Sequence, residues 1–186
     1  MPPSAFSTEV PSFADIEDDF VRLTNEIMWC VVATVDEQDR PRSRILHVAW
    51  EVADGRPVGR VSTSPSPTKT AHLARNPYVS CAYWTSAHDA VFADCQASWV
   101  TDPAEKQQVW DETAREAARF GQDSYAVWPG GAADPTFQVL RMDPWRVQVT
   151  LQDLEHGKTI GSSRVWHART GAAVGNGHPA AGTQHR

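Results

Sequence analysis

With 186 residues, 41% hydrophobic and 22% charged, the chain has the make-up of one globular domain of ordinary size. Its formal charge of −6 speaks against a nucleic-acid or anionic-membrane surface, because both need clustered cations. Residues 1–6 lack the basic and apolar regions of a signal peptide, and no stretch is long and apolar enough for a bilayer span, so a cytoplasmic protein is expected.

Ser12 and Asp15 form a capping-box pattern that predicts a first helix from there to about Asn25. Ile16, Phe20, Leu23 and Ile27 line one apolar stripe of it, which implies packing and no chemistry. Residues 29–35 are apolar almost throughout and rich in β-branched types, the pattern of a strand buried on both faces. A polar turn over 36–40 leads into a second strand from Pro41 to about Trp50, antiparallel to the first. In that strand Arg44, Leu46, Val48 and Trp50 share one face, while Ser43, Ile45 and His47 share the other. A turn over 54–57 precedes a third strand over 58–62.

The segment 62–70 carries the densest set of polar groups. Ser66 suits an N-cap and Pro67 the first helical position, where its missing N–H costs nothing. The helix so opened should stop before Asn76 and Pro77. Lys69 then lies in the first turn, where a cation is disfavoured by about 0.3–1 kcal/mol unless an anion is near. With an anion present the free N–H groups, the dipole and the ammonium all attract it, and Ser62, Thr63, Ser64 and Ser66 add hydroxyls. A solvated lysine beside a Ser/Pro turn is the competing reading at this level.

Residues 78–84 and 91–99 read as two more strands, the latter in clean alternation with Val91, Ala93, Cys95, Ala97 and Trp99 on one face. Asp102 and Glu105 open a helix to about Ala118 that should bury Val109, Trp110, Thr113 and Ala117. The loop over 119–135 is too long for a mere connection and suits a lid or a partner contact. A last strand spans 145–151, and the pattern fades beyond Gly157. This divides the chain into a tail over 1–11, a domain over 12–156 and a disordered tail over 157–186. The fold class is mainly β with α: about six antiparallel strands with flanking helices, closing into a barrel or a split barrel. Cys30, Cys81 and Cys95 each fall in an apolar run and read as buried thiols, without a disulfide framework.

Arg44 heads an otherwise apolar face, so its guanidinium must find a carboxylate, a ligand phosphate or water. The histidines are dispersed without metal-ligand spacing, and no metal site is expected. No phosphate-binding glycine loop and no nucleophile–base pair is present, and no catalytic side chain is assigned. An anion cradle without a nucleophile fits a bound cofactor that carries the chemistry itself.

The order of these motifs resembles the pyridoxamine 5′-phosphate oxidase-like family of flavin and deazaflavin oxidoreductases, with an FMN-binding split β-barrel. The likeness rests on residues 33–35, 41–46, 61–64, 69–77 and 79–84 taken together. It implies that Arg44, Ile45, Leu46 and His47 contact the flavin, and that Ser62 and Thr63 match the family's pair at the end of the next strand. It also implies that Lys69, followed by Thr70, binds the cofactor phosphate, with Thr68 where the family has an arginine. A homodimer with the cofactor at its interface follows from the same resemblance, with the loop bearing Trp128 and with Trp145 as contacts across it. The oxidase's Arg-x-His motif is missing from residues 151–156, and Ala90 stands where the oxidase places a flavin-contacting glutamine. Vitamin B6 oxidation is therefore not implied. FMN-dependent oxidoreduction of an unidentified small molecule is the leading expectation. A coenzyme F-420-dependent reductase, with Arg40, Arg42 and Arg75 as cations for the deazaflavin tail, is the second. A non-catalytic flavin- or haem-binding protein is the third.

Overall fold

The computed structural model describes residues 7–152 and 162–168. Nine strands form one mixed sheet, interrupted by three α-helices. The strands are β1 (Thr8–Val10), β2 (Trp29–Val35), β3 (Pro41–His47), β4 (Ala49–Ala53) and β5 (Arg56–Thr63). Then come β6 (Tyr78–Trp84), β7 (Ala90–Trp99), β8 (Gln138–Leu151) and β9 (Ser162–His167). Helix α1 (Glu17–Ile27) precedes β2, α2 (Pro67–Arg75) links β5 to β6, and α3 (Pro103–Arg119) follows β7.

All strand pairs are antiparallel except β1 with β9. The strand expected over 41–50 is split in two: β3 pairs with β2, while β4 pairs with β5. Only Val48 separates them, so the sheet is broken there and not closed. The six expected strands correspond to β2, β3 with β4, β5, β6, β7 and β8, which is the split barrel. At the break Gly59 lies beneath Val48 and Trp50; a Cβ added to it would come within 2.7 Å of Val48 Cγ1 and 2.9 Å of the Trp50 ring. Glycine is what allows the two strands to approach there.

Two expectations at the chain ends are corrected. Residues 8–10, placed in a tail, form β1, and residues 162–167, placed in a disordered tail, form β9, which pairs with the second half of β8. Val165 and Trp166 of β9 are buried, and the Trp166 ring packs edge-on against Phe13 at 5.2 Å. These few apolar residues join an existing sheet edge, so no long pattern was needed to hold them. Residues 171–186, also assigned to that tail, lie outside the described residues.

Strand β8 begins at Gln138, well before the expected 145, and runs through Pro144. Proline removes a ladder N–H, and the β7–β8 register slips between Asp94 and Cys95, where Cys95 meets Pro144. Strand β2 was expected to be buried on both faces. Instead Cys30, Val32 and Thr34 point into the core, while Trp29 and Val31 remain 58% and 40% exposed. A continuous apolar run is also what a strand shows when its outer face is apolar, and the sequence pattern does not separate the two.

The Ser12 capping box forms as expected: the Ser12 hydroxyl accepts from the Ala14 amide, and the Ser12 amide donates to Asp15 Oδ2 at 3.0 Å. It caps a short 3-10 turn, Phe13–Asp15, with α1 starting only after Ile16. Helix α2 has the expected Ser66 cap and Pro67 start, and ends at Asn76. The loop after α3 holds two 3-10 turns and folds back on the helix. There Trp110, Trp128 and Phe137 form an edge-to-face cluster with centroids 5.2–6.3 Å apart, a second small core with Val100, Val109 and Val139. Trp128, expected at a subunit interface, packs against Trp110 and Phe137 of its own chain and stays half-exposed. We expect Gly59→Ala to lower stability by about 1–3 kcal/mol through overpacking at the barrel break, read from the midpoint of denaturant unfolding.

Candidate functional site

Strand β5 ends at Thr63, and the next turn leads straight into α2, so the lysine of the first helical turn folds back over the strand end. Lys69 is buried, and its ammonium donates to the Thr63 hydroxyl and, at 3.2 Å, to the Ser64 carbonyl oxygen. The Ser66 hydroxyl accepts the Lys69 amide at 3.2 Å, and the Thr70 amide reaches the Ser66 carbonyl at 3.0 Å. Arg44, on β3, is half-buried and donates through Nη2 to the Thr34 hydroxyl at 2.9 Å. That hydroxyl also lies 3.1 Å from His72 Nδ1 on α2. The Thr34 hydroxyl also donates to the Arg42 carbonyl oxygen at 3.5 Å, so it ties Arg44, His72 and strand β3 together.

Neither Lys69 nor Arg44 has a carboxylate partner among the described residues. Burial, and after it the Arg44 charge, hold the Lys69 ammonium below the usual lysine range. Burial, and after it Arg42, act on Arg44 in the same direction. Two desolvated cations, one of which lowers the other's affinity for a proton, are an unfavourable arrangement until an anion joins them. The ion pair considered for Arg44 from sequence does not form.

The other basic residues near this end are committed. Asp36 accepts from Arg40 Nε at 2.9 Å and lies 3.8 Å from Arg42 Nη1, while Arg75 pairs with Asp39 at 2.9 Å. Arg75 also donates to the Asp36 carbonyl at 3.1 Å. These are the three cations considered for a deazaflavin tail, and each already has an acidic neighbour.

The candidate residues separate into three groups. Arg44, Thr63 and Lys69 come together as the anion cradle, joined by Thr34 and His72, which sequence reasoning did not assign to it. Leu46, His47 and Ser62 face a different feature: a cavity of about 680 Å3 between β3–β5 and α3. The Ser62 hydroxyl bridges to Thr113 of α3 at 2.6 Å, and His47 Nδ1 stands 3.8 Å from Glu116. Ile45 and Thr70 are exposed and belong to neither of these. Cradle and cavity adjoin at the end of β5, where Thr63 holds the lysine and Ser62 faces the cavity. Trp128 closes the loop side, donating from Nε1 to Ser64 Oγ at 3.1 Å. Thr113 and Ala117, expected in the core, line this cavity half-buried instead.

No group of three or more His, Cys, Asp or Glu side chains suited to a metal occurs among the described residues. No described helix is long and apolar enough to cross a membrane. The arrangement sets two partly desolvated cations beside a roomy, aromatic-walled cavity.

A split barrel with two unpaired cations where β5 meets α2 defines a class, and comparison with known proteins gives the family. The pyridoxamine 5′-phosphate oxidase model matches residues 16–151, and the chain belongs to that family. No curated protein matches. A pyridoxamine 5′-phosphate oxidase-related, FMN-binding protein from Nostoc punctiforme is 17% identical with a TM-score of 0.59, covering 87% of this chain and 92% of its own. A Clostridium acetobutylicum protein related to general stress protein 26 is 15% identical with a TM-score of 0.59, over 73% and 87% of the two chains. A structure described as an F420 reductase is 17% identical with a TM-score of 0.50, over 68% and 93%. At these identities the likeness establishes the shared split-barrel fold.

The unpaired lysine gives a stability signature. Its folded-state pKa lies below the ordinary 10.5, so the unfolded chain binds more protons over the interval between the two values. The Lys69 contribution, read as the stability of the parent minus that of Lys69→Met, should therefore rise with pH through that interval, against the opposite trend that the raised Cys30, Cys81 and Tyr83 groups give both proteins. The variant should be at least as stable as the parent at neutral pH, since a buried charge without a partner is removed. Thermal unfolding across pH checks both.

Proposed function

We propose that the chain is an FMN-dependent oxidoreductase acting on a small molecule, and that it works as a homodimer. The observation that carries this reading is the pair Lys69 and Arg44, two desolvated cations without carboxylate partners at the N-terminal end of α2. A phosphate monoester supplies the missing charge and enough acceptor oxygens for both. Lys69, Arg44 and Thr63 would hold it, with Ser64 and Ser66 at the rim. Leu46, His47 and Ser62 would lie toward the flavin ring, together with the main chain of Ile45. When bound, FMN supplies reversible hydride transfer. The residues of this chain bind and orient it and keep water from its buried side.

FMN is favoured over coenzyme F-420 by the charges around the cradle. The deazaflavin tail is polyanionic, whereas Arg40, Arg42 and Arg75 are already matched by Asp36 and Asp39.

An apolar band on the outer sheet face supports the dimer. Val31 sits between Ile45 and Ala82 in neighbouring strands, and Ala82 faces Phe92 in the next. Ile45 is 59% exposed and Trp84 62%, in a band that also includes Trp29. So much contiguous apolar surface marks an interface. Its position beside Ile45 and Arg44 of β3 sets the cradle near the join.

Titration of the purified chain with FMN, F-420 and haem, followed by visible absorption, tests the cofactor. FMN should bind, and Lys69→Ala should weaken it by about tenfold or more with an unchanged circular-dichroism spectrum. FMN affinity unaffected by that change, or no affinity for FMN at all, would overturn the assignment. Light scattering should give a dimer, and Val31→Glu should convert it to a monomer.

A further inference from the structure

We infer that the cavity beside the cradle receives a planar organic cation next to the flavin ring that Leu46, His47 and Ser62 would face, and that this charge is a selection rule for the substrate. The inference rests on the FMN reading for its meaning as a substrate site, but not for the cavity's own affinity. At about 680 Å3 the cavity has the size of a small-molecule site. Three tryptophans line it: Trp29 from β2, Trp50 from β4 and Trp128 from the loop after α3. Indole faces attract cations through the ring quadrupole and suit a flat ring system by stacking.

The charges that line the same space point the same way. Four carboxylates line it, Glu51, Glu112, Glu116 and Asp123, against a single guanidinium, Arg60. Arg60 is already neutralised, by Glu51 at 2.7 Å and by Glu105 at 3.1 Å. Glu112 accepts only the Gln108 side-chain amide at 3.1 Å, and Asp123 only the Tyr125 amide at 2.9 Å. Glu116 has the His47 ring at 3.8 Å and no Arg or Lys partner among the described residues. Among the described residues, then, three carboxylates at the cavity have no Arg or Lys partner. They occupy successive turns of α3 and the loop after it, which places negative potential along one wall and indole along the others.

Cradle and cavity therefore differ in sign. Anions are drawn to Lys69 and Arg44, while the cavity repels them. A phosphorylated or carboxylated substrate would be disfavoured in the cavity, and a protonated aromatic amine or quaternised heteroaromatic would be favoured.

The test uses three matched probes, N-methylquinolinium, quinoline and quinoline-2-carboxylate, with quenching of tryptophan emission as the readout at low and high salt. Binding should follow the order cation, neutral, anion, and the preference for the cation should shrink with salt. The double variant Glu112→Gln, Glu116→Gln should weaken the cation by about tenfold and leave quinoline unchanged. Asp111→Asn, on the exposed side of α3, serves as the control and should change nothing. Equal affinity for the three probes, or a preference for the carboxylate, would overturn the inference. Lys69→Ala separates the two readings. Cation binding that survives in it while FMN binding is lost supports both, and cation binding in a chain that never takes FMN overturns only the cofactor assignment.

Discussion

The fold depends on one long strand. From Leu140 to Thr150 β8 pairs with β7 on one side, while its other edge is shared, first by β5 and then by β9. A fourteen-residue strand with two partners on one edge cannot remain in a single flat sheet. The first half turns toward the barrel and carries β5 with it; the second half carries β9, and through β9 the short β1. Pro144 and the register slip opposite Cys95 fall between these two halves, where a missing N–H and an irregular ladder do least harm. The position of β5 then fixes everything used for binding, because Ser62 and Thr63 are its last two residues.

The cradle illustrates how a site can be recognised by what it lacks. Several other half-buried arginines among the described residues are matched by a carboxylate. Arg164 meets Asp19, Arg146 meets Asp94, and Arg141 grips Asp143 with two nitrogens. Against that background Lys69 and Arg44 stand out as cations taken from water and given only hydroxyl and carbonyl oxygens. A fold maintains such an arrangement at the expense of its own stability, and the usual reason is a ligand that completes it. The adjoining cavity follows the opposite rule, with carboxylates outnumbering cations. The two features meet across one peptide bond, between residues whose side chains leave opposite faces of β5.

Much of this was legible in the sequence wherever the signal was local. Ser66 and Pro67 announced α2, the polar turn over 36–40 announced the β2–β3 hairpin, and the alternation of residues 91–99 fixed which side of β7 is buried. Lys69 was conspicuous because its position within a helical turn is itself a local fact. What was not legible was assembled across long separations. Thr34 reaches Arg44 only through strand pairing, and His72 only through the packing of α2 on β2. The cavity depends on Thr113 and Glu116 of α3 facing residues some fifty or more positions earlier, which no window of sequence displays. Strand β9 escaped because its six residues have no meaning until β8 offers an edge. The exposed face of β2 escaped because an apolar run does not say which of its sides is covered.

The three cysteines have a practical consequence. Cys30, Cys81 and Cys95 are free, fully enclosed in the barrel core, and none is more than 1% exposed. The neighbouring Cys81 thiol, then burial, push the Cys30 thiol far above the range in which thiolate forms at neutral pH. Thiolate is the reactive species, so the native chain offers thiol reagents almost nothing to attack while folded. A cysteine introduced anywhere on the surface would therefore carry a probe alone. The same three thiols become reactive only when the barrel opens, which makes their rate of modification a direct clock for global unfolding.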